Sequence, residues 1–202
     1  FYPGVFIGAR YAGGVKPEAV RGSIESKINN INENGIIFSL GQSSISVLPI
    51  TTSLEGDIAH TAINFDTEKT LAAAFRYGHS DNFFDNLRDR LGSLLAPHYF
   101  SVIFSLNDQE LAKILGDHFA AREKPAPPAQ LDYATEENGT LNFSVKREEI
   151  GEIVDYDAGL ARLKNNLGSL DLSPIALSLK PDYPTVTADG LLNIDSEAKK
   201  IT

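Results

Sequence analysis

The sequence predicts an α+β fold in which antiparallel sheets pack against several amphipathic helices. Three observations support this class. Apolar residues recur at helical spacing in several segments, and runs of alternating aliphatic and aromatic residues separate those segments. The pair Asn138-Gly139, which is typical of tight hairpin turns, lies between two such alternating runs. Strands joined by short turns pair antiparallel, and helices cover one face of the resulting sheet.

The N-terminal segment indicates a strand, a glycine turn and a helix. Val5-Phe6-Ile7 favours a strand, Gly13-Gly14 permits a turn, and Pro17 suits a first helical turn. Asn34-Gly35 is placed to end this helix. Its core-facing stripe consists of Val20, Ile24, Ile28 and Ile31.

After this helix, residues 36–40 and 44–50 are predicted to be two strands joined by a polar turn. Residues 51–60 show no clear periodicity, so we expect a connection there. The predicted domains are therefore a small strand-helix-hairpin portion at residues 1–60 and a larger α+β domain at residues 61–187. Residues 188–202 are expected to be a tail or a linker to a further module.

The larger domain is expected to begin with two helices and a strand. Asp66 is a predicted N-cap for a helix that reaches residue 77, and a second helix is expected at residues 82–95. The aromatic and β-branched run at residues 99–106 predicts one central strand. Asn107, with Glu110 three residues later, predicts the start of the next helix.

The rest of the domain is predicted to contain a hairpin, a helix and a last strand. Alternating residues on both sides of Asn138-Gly139 indicate the hairpin. Residues 157–167 form an amphipathic pattern that Gly168 is expected to end. Ile175, Leu177 and Leu179 alternate in the manner of a final strand.

Composition excludes several classes of function. The 202 residues carry a net charge of −9, which argues against a nucleic-acid partner because phosphate binding needs clustered Lys and Arg. The absence of cysteine excludes disulfides and thiolate catalysis. The chain has no apolar run of the roughly 20 residues that span a membrane. Since it begins at Phe1 and lacks methionine, we expect a fragment or processed form whose anchor lies before this residue.

No motif in the sequence predicts catalysis or a cofactor. The four histidines lack metal-ligand spacing. Residues 78–82 place Gly, His, Ser, Asp and Asn in a row, but Asn82 occupies the position of the second glycine of a nucleophile elbow. The acidic start at Asp155 lacks the glycine and glutamate of a calcium loop. We therefore expect no enzymatic activity, no metal site and no cofactor.

Several short motifs resemble one bacterial family. Residues 3–8 and 13–19 resemble the start of exported VanW-like proteins, the vancomycin-resistance accessory family. Residues 72–82 are similar to a glycine turn of the peptidoglycan-binding domain that precedes the VanW module and is also found in some L,D-transpeptidases. Gly151 with Asp155, and Pro184 with Thr187, are similar to later landmarks of that domain.

The resemblance implies a function and a place for it. It implies a non-catalytic, extracytoplasmic module of the bacterial envelope that binds peptidoglycan and localises a larger VanW-like protein, with the VanW-like domain downstream. Sugar recognition favours exposed aromatic side chains beside polar groups. The expected ligand-binding residues at the glycine turn are Arg76, Tyr77, His79 and Asn82.

Other readings of the same residues stay open at this point. The four turn residues are also suited to packing and capping a pair of helices. The whole chain could serve as a structural spacer or a protein-interaction domain with no glycan ligand. A hidden enzyme would require a deep pocket with converging polar groups, whereas a binding module needs only a shallow groove.

Overall fold

The protein is described from a computed structural model, which covers residues 1–52, 59–77, 79, 84, 86, 92, 96–135 and 141–191. Within these ranges, helices alternate with short strands that form small two- and three-stranded sheets. The predicted α+β class is confirmed. The helix expected at residues 82–95 lies mostly outside the described residues, and so do Asn82 and the Asn138-Gly139 turn.

The chain divides into two compact units. The first contains Phe1–His118 and Tyr156–Leu177, and the second contains Phe119–Asp155 and Ser178–Thr202. Each unit is described separately below. The predicted boundaries at residues 60 and 187 stay predictions.

The N-terminal segment of the first unit has the predicted order of strand, turn and helix. Strand β1 (Val5–Ile7) pairs antiparallel with β2 (Arg10–Tyr11), and helix α1 (Pro17–Asn34) follows. The helix ends where the Gly35 N–H, at a φ of 72°, donates to the Ile31 carbonyl at 2.8 Å. The predicted stripe is confirmed, since its residues are buried or half-buried: Val20, Ile24, Ile28 and Ile31.

Two short antiparallel pairs follow α1. Strand β3 (Ile36–Leu40) pairs with β4 (Ser43–Val47), as predicted, although β4 ends three residues earlier than expected. Strand β5 (Ile50–Thr52) pairs with β6 (Ala59–Thr61). The segment at residues 51–60, expected to be a simple connection, therefore carries strands at both ends.

The next elements are strand β7 (Ile63–Phe65) and helix α2 (Thr67–Arg76). The predicted N-cap is confirmed, because the Asp66 carboxylate accepts the Lys69 N–H at 2.8 Å. The side chains of Lys69 and Asp66 also form an ion pair at 2.8 Å.

The single central strand predicted at residues 99–106 is wrong, because two strands occupy this segment. Strand β8 (His98–Phe100) pairs in parallel with β1. Strand β9 (Phe104–Leu106) pairs antiparallel with β7 in a different sheet. The β-branched and aromatic run predicts extended backbone, but it does not reveal that the chain changes sheets within it.

Residues 101–103 break the run because their backbone bonds to other elements instead of to a sheet partner. The Val102 N–H donates to the Gly168 carbonyl at 2.8 Å. The Ile103 N–H donates to the hydroxyl of buried Thr70 at 2.8 Å. These bonds satisfy backbone groups that would otherwise need a neighbouring strand.

Helix α3 (Asp108–Phe119) starts as predicted, since the Glu110 N–H donates to the Asn107 side-chain oxygen at 3.2 Å. A 3-10 helix (Ala120–Arg122) continues it. The fully buried side chains of the first unit include Val5, Ile7, Ile24, Phe38, Leu111, Leu115 and Leu163.

The second unit contains the predicted hairpin. Strand β10 (Gln130–Thr135) pairs antiparallel with β11 (Leu141–Lys146), in a register that matches Leu131 with Val145. The predicted strand pair is confirmed. Strand β12 (Gly151–Val154) comes next along the chain.

Helix α4 (Tyr156–Ser169) returns the chain to the first unit, and β13 (Ile175–Ala176) pairs in parallel with β3. The prediction that Gly168 ends this helix is wrong. Gly168 is a buried helical residue, and the chain turns at Leu170, which has a φ of 52°. A Cβ at Gly168 would lie 3.5 Å from the Ser101 side chain, which is an ordinary contact distance.

The last strand predicted from Ile175 to Leu179 is also wrong. The pattern divides between β13 and β14 (Leu179–Asp182), and β14 pairs antiparallel with β12 in the second unit. The Leu177 N–H donates to the Ser39 carbonyl at 2.7 Å and continues the pairing of β13. The alternation in the sequence therefore spans two strands that belong to different sheets.

Candidate functional site

The predicted ligand-binding residues lie at the C-terminal end of α2. Arg76 is the last helical residue and is exposed. Tyr77 is half-buried, because its ring stacks on His98 with centroids 4.2 Å apart and meets the edge of Phe100 at 5.9 Å. One side of the Tyr77 ring is thus covered by β8.

His79 lies between two further rings. It stacks on Phe75 with centroids 4.3 Å apart and on Tyr2 at 4.8 Å. Its Nδ1 is 2.9 Å from the Phe75 carbonyl oxygen, so this nitrogen donates if it carries the proton. Phe75 also meets the edge of Phe1 at 6.2 Å. We call these rings the α2-end cluster: Phe1, Tyr2, Phe75, Tyr77, His79, His98 and Phe100.

The structure therefore brings Tyr77 and His79 into one aromatic neighbourhood, with Arg76 beside it. The Tyr77 carbonyl oxygen lies 3.3 Å from His79 Nδ1. Asn82, the fourth predicted residue, lies outside the described residues. The Tyr77 ring contacts His98 and Phe100, and the His79 ring contacts Phe75 and Tyr2, so each ring packs against neighbouring rings.

A second aromatic group lies on the opposite face of the sheet formed by β2, β1 and β8. Phe6 alternates with buried Val5 and Ile7, so its side chain points away from the core. Its ring stacks with Tyr99 at 4.9 Å and an interplanar angle of 26°, and it meets Tyr11 at 5.2 Å. Tyr11 and Tyr99 are 48% and 66% exposed.

We call Tyr11, Phe6 and Tyr99 the aromatic row. No local pattern in the sequence reveals this row, because pairing of β1 with β8 brings together residues more than ninety positions apart in the chain. A signal was available at each strand, since an aromatic residue between two core residues in a strand faces outward. This alternation predicts that each aromatic side chain faces outward, but it does not predict that the three side chains lie together.

Gly13 of the N-terminal motif leaves space for the Tyr11 ring. A Cβ at Gly13 would collide with the Tyr11 ring and would lie 2.9 Å from the Pro3 Cα atom. The Gly4 N–H donates to the Tyr11 hydroxyl at 3.5 Å, the outer limit of a hydrogen bond. The motif therefore shapes one end of the aromatic row.

A groove of about 370 Å³ lies at the other end of the row, beside Tyr99. Residues of α4 and of the β8–β9 segment line it, including Tyr99, Ser101, Phe104, Lys164, Asn165 and Ser169. Among the described lining residues, Lys164 is the charged one. The groove therefore places an aromatic surface beside the Lys164 ammonium, the Asn165 amide and the hydroxyl groups of Ser101 and Ser169.

Lys164 is positioned by an ion pair. Its Nζ lies 2.7 Å from the Asp108 carboxylate, and both side chains are about half exposed, at 46% and 49%. Ion pairs with this exposure contribute little to stability and exchange readily with solvent or ligand. Lys164 can therefore meet an anionic ligand without a large loss of protein stability.

The residues with shifted pKa values do not line this groove. Arg21 donates to Glu68 and lowers the pKa of that carboxyl, while Glu68 in turn raises the pKa of Arg21. The Lys69 side chain, followed by its backbone N–H, lowers the pKa of Asp66. These lowered carboxyl pKa values keep the groups ionised, whereas a general acid needs a raised value.

Two more carboxyls have lowered pKa values because hydrogen bonds favour their charged forms. Hydrogen bonds from the Ser173 hydroxyl, and next from the Ser173 backbone N–H, lower the pKa of Asp171. The backbone N–H groups of Glu148 itself and of Ala188 lower the pKa of Glu148.

Within the described ranges, no group of three or more His, Cys, Asp or Glu residues is arranged to hold a metal ion. No described helix is long and apolar enough to cross a membrane.

The geometry defines a small α+β module with open, partly aromatic surfaces. A protein-family model described as "Putative peptidoglycan binding domain" matches residues 58–176, which is more than half of the 202 residues. The chain therefore belongs to this family. Comparison with curated proteins gave no match, and comparison with solved structures gave none either.

Proposed function

We propose that this chain is a non-catalytic, extracytoplasmic module that binds peptidoglycan and localises a larger VanW-like envelope protein. The observation that carries the proposal is the family match over residues 58–176. The resemblance of residues 3–8 and 13–19 to the start of VanW-like proteins supports the wider context. Open aromatic surfaces and a shallow groove suit the binding of an extended glycan.

For the domains, we propose that residues 61–187 form the binding domain, that residues 1–60 form an N-terminal portion that supports it, and that residues 188–202 lead to a further module. The family match begins at residue 58, close to the first of these boundaries. The parallel pairing of β1 with β8 supports a role of residues 1–60 beside the binding domain.

We also propose that Arg76, Tyr77 and His79, with Asn82, contribute to wall binding. The exposed Arg76 guanidinium offers donors to carboxylates of the wall, and guanidinium binds carboxylate through two parallel hydrogen bonds. The exposed part of the α2-end cluster provides apolar surface beside it.

Cosedimentation with purified sacculi tests the proposed function. We expect the protein to pellet with insoluble sacculi and to stay in solution without them. Arg76→Ala should reduce the pelleted fraction, whereas Arg122→Ala, which removes another exposed arginine, should not. A protein that stays in the supernatant at every sacculus concentration would refute peptidoglycan binding.

The alternative function is a spacer or protein-interaction domain without a glycan ligand. One observation favours it. In the second unit, the β10–β11 hairpin exposes Leu131 at 52% and Tyr133 at 72%, and exposed apolar side chains often mark interaction surfaces. This alternative predicts that sacculi do not retain the protein and that Tyr133→Ala weakens binding to a protein partner.

A further inference from the structure

We propose that the groove beside Tyr99 is a saccharide-binding site, in which one sugar ring of a carboxylate-bearing glycan strand stacks on the free face of Tyr99. The inference rests on the proposed function, since peptidoglycan supplies a glycan of this chemistry. It goes further by naming a groove that Tyr99 and helix α4 line, and that Arg76, Tyr77 and His79 do not line.

The position of Tyr99 leaves one ring face open. Tyr99 lies on β8, which is the edge strand in the order β2, β1, β8. Phe6 covers the ring on the side of β1, with centroids 4.9 Å apart. Tyr99 is still 66% exposed, and it lines the groove. An open, fixed aromatic face adjoining a groove is suited to the C–H face of a sugar ring.

The aromatic row holds the Tyr99 ring before any ligand arrives. Tyr11 contacts Phe6 edge to face at 5.2 Å, and Phe6 stacks on Tyr99. Gly13 leaves the space that Tyr11 fills. A ring held in this way loses little conformational entropy on binding, so more of the contact energy appears as affinity. Strand β1 lies outside the matched residues 58–176, so the N-terminal portion would complete the site.

The polar side of the groove complements an acidic sugar. Lys164 supplies a positive charge, for which a ligand carboxylate competes with the Asp108 carboxylate 2.7 Å away. No described lining residue carries a negative charge, although the whole chain has a net charge of −9. Asn165 and Ser169 add an amide and a hydroxyl from the same helix. An N-acetylated glycan with carboxylate substituents presents matching acceptors. Charge complementarity thus favours a carboxylate-bearing glycan strand over a neutral one.

The test uses three probes with the whole chain: purified sacculi, soluble glycan strands from which the stem peptides have been removed, and neutral chitin oligosaccharides. Tyr99→Ala should weaken binding to the soluble strands by about tenfold, because it removes the stacking surface. Tyr99→Phe keeps the ring and should bind like the wild type. Tyr183→Ala removes a comparably exposed tyrosine elsewhere and serves as the matched control.

Lys164 provides an independent test of the ligand's charge. Lys164→Gln should weaken binding to the glycan strands by about threefold and leave binding to chitin oligosaccharides unchanged. Lys164→Arg should restore binding to the strands. Titration followed by the NMR signals of the tyrosine rings reports the contact directly, since only rings near the sugar should shift.

The outcomes separate this site from the wider function. If the wild type binds sacculi but Tyr99→Ala binds the strands equally well, the site is refuted and the proposed function stands. If the wild type binds neither sacculi nor strands, both are refuted. Equal affinity of the wild type for chitin oligosaccharides and for the strands would overturn the assigned role of Lys164 and the carboxylate-bearing ligand.

Discussion

The two aromatic groups lie on opposite faces of the same three-stranded sheet, yet they differ in what their rings contact. In the α2-end cluster, His79 is stacked by Phe75 and by Tyr2, and Tyr77 lies against His98. In the aromatic row, Phe6 is the ring that stacks on Tyr99 among the described residues. Aromatic content alone therefore does not distinguish a packed surface from an open one, whereas the number of stacked ring faces does.

The difference arises from the alternation of side chains along β8. His98 and Phe100 are in register with the buried residues Val5 and Ile7, so they face the side on which α2 packs. Tyr99 is in register with Phe6 and faces outward. Two neighbouring residues of one strand thus enter different environments, one packed against other rings and the other largely exposed.

The largest expected effect tests the segment that turns the chain from β8 to β9. Thr70→Val should lower the free energy of unfolding by about 2 kcal/mol, because it removes a buried hydroxyl and leaves the part-buried Ile103 N–H without its acceptor. Chemical denaturation measures this loss. Thr70→Ser keeps the hydroxyl and should lose less. An unchanged midpoint for Thr70→Val would show that this hydrogen bond does not hold the segment.

The second prediction compares how much the α2-end cluster and the aromatic row each contribute to the free energy of unfolding. Tyr77→Ala should lower the free energy of unfolding by about 1.5 kcal/mol, since it removes a ring that stacks on His98 and meets Phe100. Tyr99→Ala should change it by less than about 0.5 kcal/mol, because the ring is mostly exposed. Equal losses in the two variants would contradict the division into a packing group and an open group.

Local signals in the sequence predicted the parts of the fold that depend on neighbouring residues. Asp66 and Asn107 cap their helices as expected, and Gly35 ends α1. The errors occur where distant contacts decide the structure. Residues 101–103 leave the sheet because Gly168 and Thr70 accept their N–H groups, and neither partner is visible in a local pattern.

The candidate site shows the same limit. Motif similarity selected Arg76, Tyr77 and His79, which are close in the chain and do lie together. Their role in binding stays a prediction. The row formed by Tyr11, Phe6 and Tyr99 depends on pairing between β1 and β8, so no single segment of the sequence could reveal it.

A smaller effect is expected from the glycine that supports the row. Gly13→Ala should lower the free energy of unfolding by about 1 kcal/mol, because the added Cβ displaces the Tyr11 ring or the backbone at Pro3. Gly22→Ala adds the same atom within α1 where no neighbour lies within 4 Å, and it should stabilise the helix slightly. If Gly13→Ala left the Tyr11 and Tyr99 NMR signals unchanged, the proposed support of the row from Gly13 would be refuted.

The smallest effect concerns the far end of α2, where Asp66 caps the helix that carries the α2-end cluster. Its pKa is lowered in the folded protein, by the Lys69 side chain first and then by the Lys69 N–H. The ionised carboxylate therefore contributes stability above the ordinary carboxyl pKa, and this contribution is lost as the pH falls through the lowered value.

Asp66→Asn isolates that contribution, because asparagine caps a helix about as well as aspartate but carries no charge. The wild type should be slightly more stable than the variant at neutral pH, and the gap should close in acid as Asp66 becomes protonated. Denaturation curves for both proteins between about pH 7 and pH 3 measure the gap. A gap that persists unchanged in acid would mean that the neutral carboxyl caps α2 as strongly as the carboxylate, so the Lys69 ion pair would have no part in stabilising this helix.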